Sequence, residues 1–282
     1  MTDSLMLEAT AKANRSKVAI GLDASMPSAE KLVNSVLFAS REAFVEPLIV
    51  TGSQDALERV PFTHLGRSIP LLKADEPEAA LVELLKDGVV DAAVRGNLGS
   101  RKVMSQLMEA FSCKNLYRAS LLEIGGRLVL LAPVGIDEGD LLKDLVALAT
   151  NCKSLAGRLG MEYRPAVISG GRSEDLGRSR KVDSMLRDSG ALINALNAVG
   201  IDAKGYGIEI ERALDEGATA IIMPDGIFGN LAFRCMVLVS SIESYGACAT
   251  AIPKTFIDTS RAKGSYLLPL ILASALSGQP RS

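Results

Sequence analysis

This sequence predicts an α/β fold of mainly parallel sheet wrapped by helices, and three observations carry that reading. Apolar runs of strand length alternate with amphipathic helical stretches four times before residue 112. The alternation resumes after a glycine pair set between two apolar runs. The chain has 282 residues, 48% of them hydrophobic, and a mean hydropathy of +0.23, enough apolar material for one large core or two smaller ones.

The elements follow in order. KVAIGLD (17–23) reads as a strand and SAEKLVNSVLFASREA (28–43) as the helix after it. PLIVTGS (47–53) is a second strand, and SIPLLKA (68–74) a third, followed by the helical EPEAALVELLKDG. VDAAVRGN (90–97) is a fourth, leading into the helix SRKVMSQLMEAF. LLEIGGRLVLLAPVG (121–135) reads as an antiparallel hairpin or bulged edge, because its glycine pair separates two apolar runs. Then come the helix DEGDLLKDLVALATNCKSLAGRLG, the strand PAVISGG, the helix VDSMLRDSGALINALNAVG, the strand-like IEIERAL (208–214) and the strand ATAIIMPDG. No long Pro/Ser-rich linker divides the chain, so domains would be joined by short crossings.

Composition removes several classes of function. A net charge of −2 with acids and bases interspersed leaves no basic footprint for nucleic acid. MTDSLMLEATAKANRSK has neither the basic start nor the apolar core of a secretory signal. YLLPLILASAL (266–276) falls short of the ~20 residues of a membrane span. The expectation is a soluble, cytoplasmic protein. Cys113, Cys152, Cys235 and Cys248 show no metal-type spacing and read as reduced, mostly buried thiols, with no metal implied. The single histidine, His64, lies in PFTHLGRS, a surface-turn pattern, which argues against histidine-based hydrolysis or zinc chemistry.

Four turns could hold an anion. In VDAAVRGNLGSRKVM, Gly96 and Gly99 permit a close turn, and Asn97 and Ser100 could donate hydrogen bonds where a helix opens. The same residues would also serve a plain strand-to-helix turn with a positive φ and a serine cap. In AIIMPDGIFGN, an apolar strand stops at Pro224-Asp225-Gly226, and Gly229-Asn230-Leu231 repeats Gly96-Asn97-Leu98 in the same context. In PAVISGGRSEDLGRSRKVD, Ser169 ends a strand, and Arg172, Arg178, Arg180 and Lys181 follow. Such a loop could grip a phosphate through arginine or simply be solvated. In FIDTSRAKGSYL, Asp258 or Thr259 can cap a turn, with Ser260 and Arg261 side by side before an apolar helix. Four such turns at strand ends favour a phosphate-bearing small-molecule ligand.

The order of DAAVRGNLGS, AVISGGRSEDLGRSRKVD, AIIMPDGIFGN and DTSR resembles the phosphate acetyl/butyryl transferase superfamily, which shares the isocitrate dehydrogenase fold. The match spans residues 88 to 265, with P-D-x-x-x-G-N and D-x-S-R its most specific elements. The short length and the S-G-G-R loop are similar to the MtxX-type proteins, a methanogenesis-marker branch that carries the label of methyltransferase. The resemblance implies two α/β/α domains with an interdomain cleft, residues 1–117 with 254–282 forming the first and 118–253 the second. It also implies a homodimer through the second domain, with coenzyme A or another phosphate-bearing cofactor as ligand.

Carried over, Gly229 and Asn230 would face the phosphate or thioester end of the ligand, Ser260 and Arg261 the transferred group, and Ser100 and Ser169 the cleft wall. One departure limits the acyl reading. The family pattern ends D-L-S-R-G-x-S-x-x-D, its last aspartate taken as the base that deprotonates coenzyme A, and Leu267 stands there in this chain. No Asp or Glu follows Asp258, and Ala262 replaces the glycine after D-x-S-R. Asp225 is the alternative carboxylate. Three classes of function follow: acyl transfer between coenzyme A and phosphate, another group transfer such as methyl transfer or a binding role, and an oxidoreductase whose metal-binding aspartates are not evident.

Overall fold

The structure is a computed structural model, and the residues described are 3–52, 69–260 and 265–278. His64 and Arg261 therefore lie outside the described residues. The chain forms two compact units, Met1–Leu116 with Ser244–Arg281, and Tyr117–Glu243.

The first unit carries α1 (Asp3–Asn14), β1 (Lys17–Leu22), α2 (Ala29–Arg41), β2 (Glu46–Thr51), β3 (Leu71–Lys73), α3 (Pro77–Lys86), β4 (Ala92–Val94) and α4 (Ser100–Ala110). Its sheet has the order β3-β2-β1-β4-β11-β10, with β10 (Glu243–Ala249) and β11 (Thr255–Asp258) supplied by the returning chain. β1 is parallel to β2 and β4, and β11 is parallel to β4, so Ile20 lies opposite Ile49 on one side and Val94 on the other. Only β10 runs antiparallel, to β11. Residues 244–249, expected with the second domain, thus belong to the first unit's sheet.

Strand alternation sends Ala19, Val50, Ala93 and Phe256 to one face, against Leu81 and Leu85 of α3 and Val103 and Leu107 of α4. α9 (Leu267–Ser277) lies against α1, α2, β1, β4 and β11. A helix apolar all round has to be buried on most sides. Each of Leu270, Ile271 and Leu272 is 1% exposed or less, worth ~1.5–3 kcal/mol apiece in transfer from water. The helix's one buried hydroxyl, Ser274 Oγ, donates to the Ala11 carbonyl at 3.1 Å and accepts from the Ser16 N–H at 3.0 Å. α1 was not anticipated from sequence, since its amphipathic pattern is weak and only Leu7 and Ala11 are buried.

The second unit carries β5 (Arg118–Ile124), β6 (Arg127–Ala132), α5 (Leu142–Arg158), β7 (Pro165–Ile168), α6 (Arg180–Ala198), β8 (Lys204–Gly207), α7 (Ile210–Asp215), β9 (Ala220–Ile222) and α8 (Gly226–Phe233). β5 and β6 form the expected hairpin, turning through Gly125 and Gly126 at φ +59° and +77°, a pair of positive angles that glycine adopts without strain. The sheet order is β5-β6-β9-β7-β8, parallel from β6 onward.

IEIERAL is not a strand. Residues 204–207 take the pairing with β7, Ile208 is exposed, and the chain turns helical from Ile210. Alternation over so few residues is overridden by which segment reaches the sheet edge. The cysteines are free, as expected; Cys152 and Cys248 are buried and Cys113 is half-buried, whereas Cys235 is exposed. Among the described residues no helix is long and apolar enough to cross a membrane.

Candidate functional site

Open α/β sheets take ligands outside the carboxyl ends of their strands, where the strand order reverses. In the first unit the chain steps outward from β1 to β2 and β3, then returns to place β4 on the other side of β1. The reversal therefore lies between β1 and β4, at the Gly96–Ser100 turn. Gly96 has φ +64°, and a side chain there would run into the Gly21 carbonyl, so the two strand ends meet backbone to backbone.

Asn97 is fully buried and is not free to meet a ligand. Its Oδ1 accepts the Asp23 N–H at 2.7 Å, and its Nδ2 donates to the Asp23 carbonyl at 2.9 Å and to Ser28 Oγ at 3.3 Å. The amide locks the β1–α2 turn to the β4–α4 turn. Sequence reasoning saw a donor here and could not see the acceptors, which lie 74 and 69 residues away.

Behind this turn stands an ion pair that sequence reasoning missed. Arg95, 4% exposed, places Nε 2.5 Å from Asp258 Oδ1 and donates from its terminal nitrogen to the Leu98 carbonyl at 2.6 Å. Thr259 donates its hydroxyl to the Gly96 carbonyl at 2.6 Å. The D-x-S-R turn is thus stitched to the Gly96 turn, bringing Ser260 and Ser100 to the ends of adjacent parallel strands, both half-buried. The signal was present as an arginine and an aspartate closing two apolar runs, but strand adjacency is needed to pair them.

Ser100 opens α4. The cap residue is Gly99, no side chain caps the first turn, and that turn carries no acid but the exposed Arg101 and Lys102. Free amides, the helix dipole and two exposed cations are features that favour an anion at this end of α4.

The second unit treats its counterpart differently. Asp225 is the N-cap of α8, its Oδ1 accepting the Phe228 N–H at 2.9 Å, so the chain's own carboxylate fills the anion position of that helix. A side chain at Gly226 or Gly229 would strike the carbonyl of Gly135 or Pro133, and the Gly226 N–H donates to the Glu138 carbonyl at 2.8 Å. Asn230 Nδ2 donates to the Val134 carbonyl at 3.0 Å. P-D-x-x-x-G-N is therefore a docking surface that seats α8 flush on residues 133–138, not a set of exposed donors.

Glu138 anchors that segment. Its carboxyl, 4% exposed, accepts from the Arg118 N–H and from Arg118 Nε, each at 2.8 Å. Burial pushes it above the ordinary glutamate range, against the pull of the Arg118 guanidinium.

The S-G-G-R loop is self-contained. Ser169 Oγ is buried and donates to the Gly171 carbonyl at 2.8 Å. Arg172 pairs with Glu209 at 2.9 Å, and Arg178 with Asp175 at 2.5 Å. The Arg172 N–H and then Arg178 hold the Asp175 carboxyl below the usual range. Sequence counted cations here without their partners; all four are exposed, Arg172 and Arg178 in the ion pairs just given and Arg180 and Lys181 at the start of α6.

A cavity of about 490 Å³ opens within the second unit at the carboxyl ends of β7 and β9, lined by Val167, Ile168, Met185, Pro224, Asp225 and Phe228 among others. Among the described residues no group of His, Cys, Asp and Glu could hold a metal ion.

No family model matches the sequence. The "Putative methyltransferase mtx subunit X" of Methanosarcina barkeri is 36% identical over 268 residues, covering 95% of both chains. Among solved structures, a phosphotransacetylase from Streptococcus pyogenes superposes with a TM-score of 0.68 at 17% identity, over 96% of this chain and 97% of that one. A terephthalate 1,2-cis-dihydrodiol dehydrogenase from Burkholderia xenovorans gives 0.51 at 12%, over 93% and 94%. At such identities the structural likeness is one of fold.

Proposed function

We propose that this chain, which belongs to the mtx subunit X family, is a small-molecule transferase that seats a phosphate-bearing ligand at the start of α4 and is weak or inactive in exchanging acyl groups between coenzyme A and phosphate. The observation that carries the ligand reading is the open N-terminus of α4 at the strand-order reversal, with Ser100, Arg101 and Lys102 around uncapped amides. Ser260 reaches the same edge of the sheet because the Arg95–Asp258 pair holds its turn there, and Arg261 follows it in sequence.

The case against acyl transfer rests on α9. Leu267, in the place of the thiol-deprotonating aspartate, is the first residue of that helix, which holds no ionisable side chain. Asp258, the last carboxylate in the sequence, is consumed by Arg95. General base catalysis contributes ~10²–10⁴-fold. The relatives' name supports methyl as the group transferred, and the role in methanogenesis and the homodimer are what the resemblance drawn from sequence implies.

Two measurements test this. Calorimetric titration with inorganic phosphate should show binding that Ser100→Asp and Arg261→Ala each weaken, the latter by ~1.5–3 kcal/mol as for a charge-assisted hydrogen bond. Acetyl and butyryl transfer from acyl-coenzyme A to phosphate should be residual at best in the native chain. Robust native turnover would overturn the second half of the proposal, and phosphate affinity unchanged in both variants the first.

A further inference from the structure

The cavity of the second unit borders the turn of residues 224–231, but its lining differs from the open helix start at α4. Its floor is apolar, with Val167 and Ile168 from the end of β7 and Leu192 from α6. Three carboxylates line it, Asp140, Asp188 and Asp225, against a single base, Lys181. The Lys181 ammonium sits 5.9 Å from the centroid of the Phe228 ring, which forms part of the lining. The cavity thus already holds one cation of its own against an aromatic face.

Each property selects a ligand. At about 490 Å³ the cavity falls within the ~300–1,000 Å³ of small-molecule sites. It lies at the carboxyl ends of β7 and β9, next to the point where the chain steps out to β8 and returns. The carboxylates outnumber the ammonium, so a free anion is repelled. An aromatic face beside carboxylates favours a soft organic cation, whose alkyl groups bury on the apolar floor while its charge is met by ring and carboxylate.

We propose that this cavity binds a small organic cation, an ammonium or sulfonium compound with an apolar body. The site lies wholly within the second unit and is independent of the phosphate seat proposed at α4, so either assignment can fail while the other stands. Inorganic phosphate reports on the α4 seat and leaves the cavity unread.

The test is calorimetric titration of the full chain with benzyltrimethylammonium, benzyl alcohol and phenylacetate, one ring carrying a positive, a neutral and a negative group. The cation should bind tightest and phenylacetate most weakly. Phe228→Leu, at a residue 37% exposed, should weaken the cation roughly two- to fivefold, as for loss of a cation–π contact, and leave the alcohol nearly unchanged. Lys181→Met should strengthen cation binding by removing the resident ammonium, whereas at an anion site it would weaken binding. Asp188→Asn should weaken it, by roughly two- to fivefold at an exposed charge pair. Equal affinity for the three probes, preference for phenylacetate, no binding of the cation, or weaker cation binding in Lys181→Met would each overturn the assignment.

Discussion

Gly96-Asn97-Leu98 and Gly229-Asn230-Leu231 share a tripeptide, a place after an apolar strand and a helix to follow, yet the fold uses them in opposite ways. In the first, asparagine is sealed into a clamp, Leu98 is 2% exposed, and the helix beyond begins with uncapped amides. In the second, glycine and asparagine seat the helix on a neighbouring loop, Leu231 is 58% exposed, and the helix start is closed by Asp225. Each turn is backed by a buried arginine–carboxylate pair, Arg95 with Asp258 and Arg118 with Glu138. A local motif thus specifies a strand-to-helix turn; whether that turn is open to a ligand depends on whether a carboxylate of the chain already occupies the helix end.

The largest expected effect comes from removing the support of the first turn. Arg95→Met removes the Arg95 guanidinium from the Asp258 carboxylate, whose side chain is 14% exposed. Urea unfolding should show a loss of ~3–5 kcal/mol, as for breaking a buried pair. A loss under a kilocalorie would mean the pair does not hold the two strand ends together.

Next come the glycines. Gly229→Ala pushes a methyl group into the Pro133 carbonyl and should cost ~1–3 kcal/mol through overpacking. Gly96→Ala should exceed it, because the same kind of clash, with the Gly21 carbonyl, is added to a φ of +64°. Equal costs in thermal or urea unfolding would remove the distinction drawn between a strained turn and a packed helix.

The asparagines should separate in the same sense with smaller effects. Asn97→Ala strands the buried groups of the Asp23 turn and should cost ~1–3 kcal/mol, whereas Asn230→Ala removes one hydrogen bond to Val134 and should cost ~0.5–1.5 kcal/mol. The reverse order would make Asn230 the clamp.

The finest test is the pH dependence of the second turn's support. Glu138 has a raised carboxyl in the folded chain, so it binds its proton more tightly folded than unfolded. Its contribution is complete below the ordinary glutamate value, 4.5, and is lost as pH rises through the higher folded value. The melting temperature of Glu138→Gln should therefore gain on that of the native chain from about pH 4 upward. A constant gap would show that Glu138 titrates as it does in the unfolded chain.

Much of this architecture was legible beforehand because periodicity is a local property. Apolar runs such as KVAIGL and ATAII became strands, and EAALVELLK and KDLVALATNCKSLAGR became helices, since one face of each had to be buried. The glycine pair at 125–126 announced its hairpin for an equally local reason, the need for two positive φ angles. The mtx subunit X family and its fold were likewise recognisable from motif order. IEIERAL failed because its alternation was real but the sheet edge was already taken by residues 204–207.

The state of the site residues was decided only by tertiary contacts. Asn97, Ser169 and Arg172 are donors by residue type, and sequence could not reveal that Asp23, Gly171 and Glu209 already accept from them. Likewise Asp225 is a plausible base on paper and a helix cap in place. The reason is physical: a hydrogen bond or ion pair is satisfied by whatever the fold brings within about 3 Å, and the partner of Arg95 is 163 residues away in the chain. Residue type determined what chemistry each strand end could offer, and the meeting of β1, β4 and β11 determined that Arg95 and Asn97 would spend theirs on the protein itself.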